Sequence, residues 1–312
     1  MSNEAYAGFR RAAEAPAMKA AAPNLHTGKL AYQLGYTARA YSLLCRVSTL
    51  LGRRLSGDIA ALFARRYCAA HPEVVQTVAG NIRLLDRSAG TREAVCVFEN
   101  YARTLADYFW LAGRSGDEAF ALADIEGSMP VLTSGAILAT GHFGFFEFGA
   151  LVLTRAGLPV SIVTDAEPTT ELTRWRAAYR KRWGAETIEL GGDAFSSLRA
   201  AGALEAGRLT AMLVDRPAGG RSLSVELPGG AISFSMAPAI LSWMTGCPVI
   251  PVSVRRTPAG RYVVRTGEPV SADRATSRDT AIEGCTRQIA DALVRDFLAD
   301  PLQWYHFVPL AS

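Results

Sequence analysis

From about Gly135 onward, short apolar runs alternate with segments of helical periodicity. The runs Ala136–Ala139, Val160–Val163, Thr187–Leu190, Thr210–Val214, Val249–Val254 and Tyr262–Arg265 have the length of buried strands. Between them, apolar residues recur at three- and four-residue spacing over Glu147–Ala156, Thr170–Trp183, Ala194–Ala206 and Ala237–Thr245, and a last amphipathic helix is predicted from about Arg278 to Leu298. Strands alternating with helices predict an α/β fold whose mainly parallel central sheet is flanked by helices. Ahead of this the pattern is helical from Lys29 to Gly113. Leu30, Leu34, Ala38, Tyr41, Leu44 and Cys45 share one face, as do Val95, Phe98, Tyr101, Ala102, Leu105 and Phe109. Residues 1–28, rich in Ala with Pro16 and Pro23, predict a poorly ordered lead-in. The expected organisation is a lead-in at 1–28, a helical N-terminal region at 29–115 packed on the core, and an α/β core at 116–312.

Composition narrows this picture. With 49% hydrophobic and 20% charged residues among 312, the chain carries far more apolar surface than a disordered one. The net charge of +4 is too mild for a protein that coats nucleic acid, so no nucleic-acid partner is expected; an anionic lipid surface or substrate fits. Only Lys19, Lys29 and Lys181 are lysines among 33 basic residues. Arginine forks suit phosphate and carboxylate, although high-GC codon usage gives the same bias. Five cysteines with no close pair form neither a disulfide framework nor a zinc site, which favours a reducing compartment. The start at Met1-Ser2-Asn3-Glu4 shows no secretory signal pattern. The uncharged stretch from Leu227 to Val254 is long enough for a bilayer, but Pro228, Pro238, Pro248 and Pro251 with Gly229, Gly230 and Gly246 cut it into a turn, a short helix and a strand. Arg39, Arg46, Arg53, Arg54, Arg65 and Arg66 likewise keep the first helices out of the membrane interior, and leave them either basic amphipathic helices on a membrane surface or an ordinary helical cap.

Four histidines exist, and His142 stands out by position. Gly135 to Gly144 reads as a buried strand ending in a Gly-flanked turn before a helix, so His142 projects at a strand's carboxyl end, where open α/β sheets bind ligands. Backbone N–H groups near His142, Gly144 and Phe145 are expected to be free for developing negative charge. Glu147 follows five residues later. Within one helix that spacing separates two side chains by about 140°. The pair therefore meets only if His142 sits in the turn and Glu147 in the first helical turn, where a carboxylate would orient the imidazole. A buried, satisfied histidine beside a helix-start acid has the same spacing. No nucleophile elbow, phosphate loop, zinc pair or dinucleotide fingerprint is present.

Gly141-His142-Phe143-Gly144-Phe145-Phe146-Glu147 resembles the H-x4-D/E signature of the lysophospholipid acyltransferase superfamily, in the bacterial branch of lipid A late acyltransferases and phosphatidylinositol mannoside acyltransferases. Further segments are similar in order: Asn81-Ile82-Arg83 with Phe98-Glu99-Asn100-Tyr101, Tyr179-Arg180-Lys181-Arg182-Trp183-Gly184, Leu213-Val214-Asp215-Arg216-Pro217, the helix-strand unit from Ala237 to Val252, and Pro301-Leu302-Gln303-Trp304-Tyr305. The departures are Phe146 where the branch often has Trp, Leu227-Pro228-Gly229-Gly230 in place of a Phe-rich turn, and no hydrophobic N-terminal anchor.

The resemblance implies a glycerolphosphate-acyltransferase-like fold and an acyltransferase acting without a covalent intermediate. His142 would be the general base and Glu147 its orienter, with no metal and no cofactor beyond the acyl co-substrate. It implies substrate contacts at Gly144, Phe145, Arg180, Arg182, Asp215 and Arg216. The implied partners are an acyl carrier protein or coenzyme A thioester, a lipid, glycolipid or lipid-like acceptor, and an anionic membrane surface. The implied place is the cytoplasm, peripheral on the inner face of a bacterial membrane. A non-catalytic lipid- or carrier-protein-binding module and a thioester hydrolase are the alternative readings.

Overall fold

The computed structural model describes residues 37–127, 135–165, 167, 169–190, 194–217 and 220–310; the lead-in expected at 1–28 lies outside them. Helices come first: α1 (Ala38–Leu51), α2 (Arg53–Ala70), α3 (Pro72–Arg83), α4 (Thr91–Leu111) and the short α5 (Gly116–Phe120). The alternating part follows as β1 (Ala123–Glu126), β2 (Ala136–Thr140), α6 (Phe146–Arg155), β3 (Val160–Asp165), α7 (Thr170–Arg182), β4 (Glu186–Leu190), α8 (Ala194–Glu205) and β5 (Leu209–Leu213). Then come β6 (Ser222–Leu227), β7 (Gly230–Ser235), α9 (Ala237–Thr245), β8 (Val249–Arg256), β9 (Tyr262–Thr266), α10 (Arg278–Ala299) and a 3-10 turn at Pro301–Gln303.

Seven strands form the central sheet in the order β1-β9-β8-β2-β5-β3-β4. All neighbours run parallel except β8 and β9. The chain moves outward from β2 to β3 and β4, then returns to lay β5 directly against β2, so the carboxyl ends of two central strands face the same crevice. β2 is buried along its whole length, as its uninterrupted apolar run predicts for a strand covered on both faces. Its alternate residues divide the core. Ile137 and Ala139 join the layer with α9 and α10, whereas Ala136 and Leu138 join the layer with α6 and α4.

Three strands escape the sequence reading, for different reasons. β1 is an edge strand whose Asp124 and Glu126 face solvent, so it lacks the apolar run of its neighbours. β6 and β7 form a separate antiparallel hairpin where only a turn was expected before the helix. In β6 the period is two: Val225 and Leu227 are buried, and the alternating Ser224 and Glu226 are exposed.

The loop after β2 is laid across the end of β8 and against the C-terminal segment. The Gly144 N–H donates to the Gln303 carbonyl at 2.8 Å and the Phe145 N–H to the Val254 carbonyl at 3.0 Å. Gly144 has φ +53°, and a Cβ there would overlap the Val254 carbonyl, so this close approach requires glycine. Trp304 forms an antiparallel bridge with Phe143, and the Tyr305 N–H donates to the His142 carbonyl at 2.7 Å. The tail is itself tied to the helical region, since Asn81 Nδ2 donates to the carbonyls of His306 and Val308 at 2.9 and 2.8 Å.

Candidate active site

The register of the two central strands explains which carboxylate meets His142. Thr140 pairs with Leu213 at the ends of β2 and β5. His142 and Asp215 each stand two residues beyond that pair, on adjacent parallel strands, and are brought side by side. Asp215 Oδ1 lies 2.8 Å from His142 Nδ1, and the His142 backbone N–H donates to Oδ2 at 2.9 Å. Gly141 makes room: a Cβ there would come within 2.9 Å of the Asp215 carboxylate and also strike Phe297.

Two more donors come from the C-terminal segment. Trp304 Nε1 donates to Asp215 Oδ2 at 2.9 Å, and His306 Nε2 lies 2.8 Å from the same oxygen. Burial alone would raise the aspartate's pKa. The neighbouring imidazoles and the hydrogen bonds outweigh it and hold Asp215 well below the usual carboxylate range. An ionised Asp215 is acceptor-only, which assigns the proton on His142 to Nδ1 and leaves Nε2 as the basic nitrogen. The His142 side chain keeps 17% of its surface exposed, whereas those of Asp215 and His306 have none. Ligand atoms of His142, Asp215 and His306 lie close enough together to hold a metal ion. Their contacts of 2.8 Å are tighter than the separation of roughly 3.3 Å between ligands around tetrahedral zinc, however, and suit a hydrogen-bonded relay.

Glu147 is therefore not the partner of His142. It lies in the first turn of α6, as expected, but its Oε1 accepts from Arg180, at 3.1 Å from Nε and closer still from Nη2. Both residues are buried. Burial opposes ionisation of Glu147, but the charges of Arg180 and Arg176 and the Arg180 hydrogen bond hold its carboxyl below the ordinary value. The His142 imidazole instead has the Phe146 ring edge-on at 5.9 Å and the His306 ring at 5.1 Å. A narrow apolar cavity between α6 and the sheet begins beside Phe146 and Glu147 and runs past Ala150, Leu153, Ile162 and Met212. Arg180 also borders it.

A model of the bacterial lipid A biosynthesis acyltransferase family matches residues 33–310, a range that spans every described residue. The chain belongs to this family. It is thus an acyltransferase of lipid metabolism, and its α/β architecture with a helical N-terminal region is the one expected from the resemblance. No curated protein matches the chain.

Within this acyltransferase the expected site residues separate. His142 and Asp215 come together; Glu147 and Arg180 form a separate pair in the cavity wall. Arg182 lies apart, exposed, donating to the Arg114 carbonyl at 3.1 Å and lying over the Trp183 ring. Arg216 is exposed and makes no hydrogen bond or ion pair among the described residues. Gly144 and Phe145 are contacts of the fold, and their N–H groups are engaged by Gln303 and Val254, so they are not free to hold an oxyanion. Trp304 and His306 are the participants missed from sequence. Their only signal was position: Trp304 lies inside the resemblance's closing Pro301-Leu302-Gln303-Trp304-Tyr305 segment and His306 directly follows it. Removing one member of the Glu147–Arg180 pair strands a buried charge. Arg180→Met is expected to destabilise the fold by about 3–5 kcal/mol in urea unfolding, and the double variant Glu147→Gln, Arg180→Met to recover most of that loss. Additive losses would show that the pair is not coupled.

Proposed function

We propose that the protein transfers a fatty acyl group from an acyl carrier protein or coenzyme A thioester to a hydroxyl, or less readily an amine, of a lipid or glycolipid acceptor. The observation that carries this reading is the His142–Asp215 contact at the carboxyl ends of β2 and β5, beside an apolar cavity in an acyltransferase-family chain. His142 Nε2 takes the acceptor proton while the acceptor oxygen attacks the thioester carbonyl. The C–S bond then breaks as the tetrahedral intermediate collapses, and the imidazolium returns the proton to the departing thiolate. Asp215 holds the Nδ1–H tautomer and stabilises the cation formed in between. Among the described residues no side chain caps the first turn of α6 and the Phe148 N–H donates to the Phe145 carbonyl, so the N–H groups of Phe146 and Glu147 are the donors proposed for the oxyanion. No protein nucleophile is needed, and the acyl co-substrate is the only cofactor-like group invoked.

The cavity beside Phe146 suits the acyl chain by its lining. Exposed Arg216, next to Asp215 in the chain, is the proposed contact for phosphates of the donor or an anionic acceptor headgroup, whereas Arg180, buried and engaged by Glu147, shapes the cavity wall. An anionic inner membrane face is the proposed place of action. No helix among the described residues is long and apolar enough to cross a membrane. Instead α1 and α2 expose Leu43, Val47, Leu50, Leu55, Leu62 and Phe63, with Leu50 at 85% and Phe63 at 66%. Exposed Arg39, Arg46, Arg54 and Arg66 surround them, a combination that suits an interfacial helix on anionic lipid.

The purified protein is expected to produce acylated lipid from an acyl thioester, read by mass spectrometry, and His142→Ala to lose about 1,000-fold or more in rate while remaining folded. Turnover retained in that variant would sink the assignment, and free fatty acid without acylated acceptor would mark a hydrolase. The paired substitution Leu50→Glu, Phe63→Glu is expected to abolish co-sedimentation with phosphatidylglycerol vesicles with secondary structure intact; unchanged binding would place the membrane contact elsewhere.

A further inference from the structure

His306 has no part in the reaction proposed above, and its surroundings fix its chemical state. Its Nε2 lies 2.8 Å from Asp215 Oδ2, which already accepts from the His142 backbone N–H and from Trp304. Because the ionised carboxylate only accepts, the proton belongs on Nε2. The other ring nitrogen, Nδ1, is buried and has no hydrogen-bond partner among the described residues. A second proton there would be a buried, unanswered N–H on a cation, which is costly. His306 is therefore a neutral donor. Burial holds its pKa below the ordinary imidazole value against the pull of Asp215, with His142 and Arg216 acting in the same direction as burial.

We propose that His306 is a positioning residue that acts on His142 through Asp215, limiting how strongly the carboxylate attracts the catalytic proton. This rests on His142 being the general base. The edge of the His306 ring is set against Trp304, with centroids 4.5 Å apart, and its carbonyl is held by Asn81 of α3, so its N–H is aimed by the fold. The two imidazoles lie 5.1 Å apart on either side of one carboxylate. Three donors converge on Oδ2 and one, His142 Nδ1–H, on Oδ1. Each donor at Oδ2 draws negative charge away from the oxygen that faces His142. Taking the His306 donor away concentrates charge toward Oδ1, favours the imidazolium of His142, and requires a higher pH to free its Nε2. The groups that share this balance are Asp215, His142, His306 and Arg216, with Trp304 as the uncharged donor.

The C-terminal segment thus sets the working pH of a base more than 150 residues earlier in the chain. The test compares the full-length wild type with His306→Phe, which keeps the ring and removes the donor, and His306→Gln, which restores an N–H near the position of Nε2. In the pH profile of kcat/KM, the acid limb is expected to move up by about 0.5–1 pH unit in His306→Phe and to return toward wild type in His306→Gln. The His142 ring-proton titration, followed by NMR in the absence of substrate, is expected to move in parallel. That second readout stands even if acyl transfer is not the reaction. A uniform fall in rate with an unmoved limb and unmoved titration would reduce His306 to packing and overturn the proposal. Should His306→Phe not fold, ¹⁵N shifts of the wild type decide: the proposal requires neutral His306 protonated at Nε2 between pH 6 and 8, and an Nδ1–H tautomer or a cation would overturn it.

Discussion

One buried carboxylate organises this molecule. Asp215 sits where water cannot solvate it, and an isolated carboxylate in such a place would take up a proton. It stays ionised because four donors from two stretches of chain converge on it: the backbone and ring of His142 after β2, and Trp304 and His306 of the C-terminal segment. The same contacts join the two central strand ends to the C-terminal tail. That tail is pinned in turn to α3 through Asn81 and to α4 through Asn100, whose Nδ2 donates to the Leu302 carbonyl at 3.1 Å. A charge that would weaken an ordinary core here fastens sheet, tail and helical region around the proposed base. Because its folded-state pKa is depressed, this contribution is fully present above the usual carboxylate range and fades as the pH falls through the folded-state value.

A second buried charge, Glu147 in the first turn of α6, does different work. Glu147 and Arg180 hold α6 and α7 together in the cavity wall, with Arg176 adding charge from the same helix and pairing with Glu167 at 2.6 Å. A third hub, Asp107 of α4, receives Arg53 at 2.8 Å, Arg256 at 3.3 Å and the Tyr262 hydroxyl, and so fastens α2 and α4 to β8 and β9. The arginine-rich composition is thus partly structural. Several guanidiniums that sequence alone offers to phosphates are engaged by buried acids, and Arg216 is the expected one left open to solvent beside the base.

The strands and helices around the crevice were legible because a parallel sheet buried on both faces writes itself as apolar runs such as Ala136–Ala139 and Val249–Val254. His142 was legible for a related reason, since a strand-end histidine between glycines has few structural uses. Its partner was not. The sequence offers Glu147 five residues away and Asp215 seventy-three residues away, and spacing along the chain favours the near one. Only the register Thr140 to Leu213 makes the distant residue the neighbour. Likewise the expected N–H donors at Gly144 and Phe145 were lost to Gln303 and Val254, because the C-terminal segment adds a bridge to that loop which no local pattern announces.

The basicity proposed for His142 rests on Asp215, set beside it by the strand register. It is read from the single-turnover rate of acyl transfer by folded Asp215→Asn, since an amide in this position no longer enforces the Nδ1–H tautomer or balances the imidazolium. A fall of about 100-fold or more is expected, with substrate binding little changed. A rate close to wild type in that variant would remove Asp215 from the mechanism.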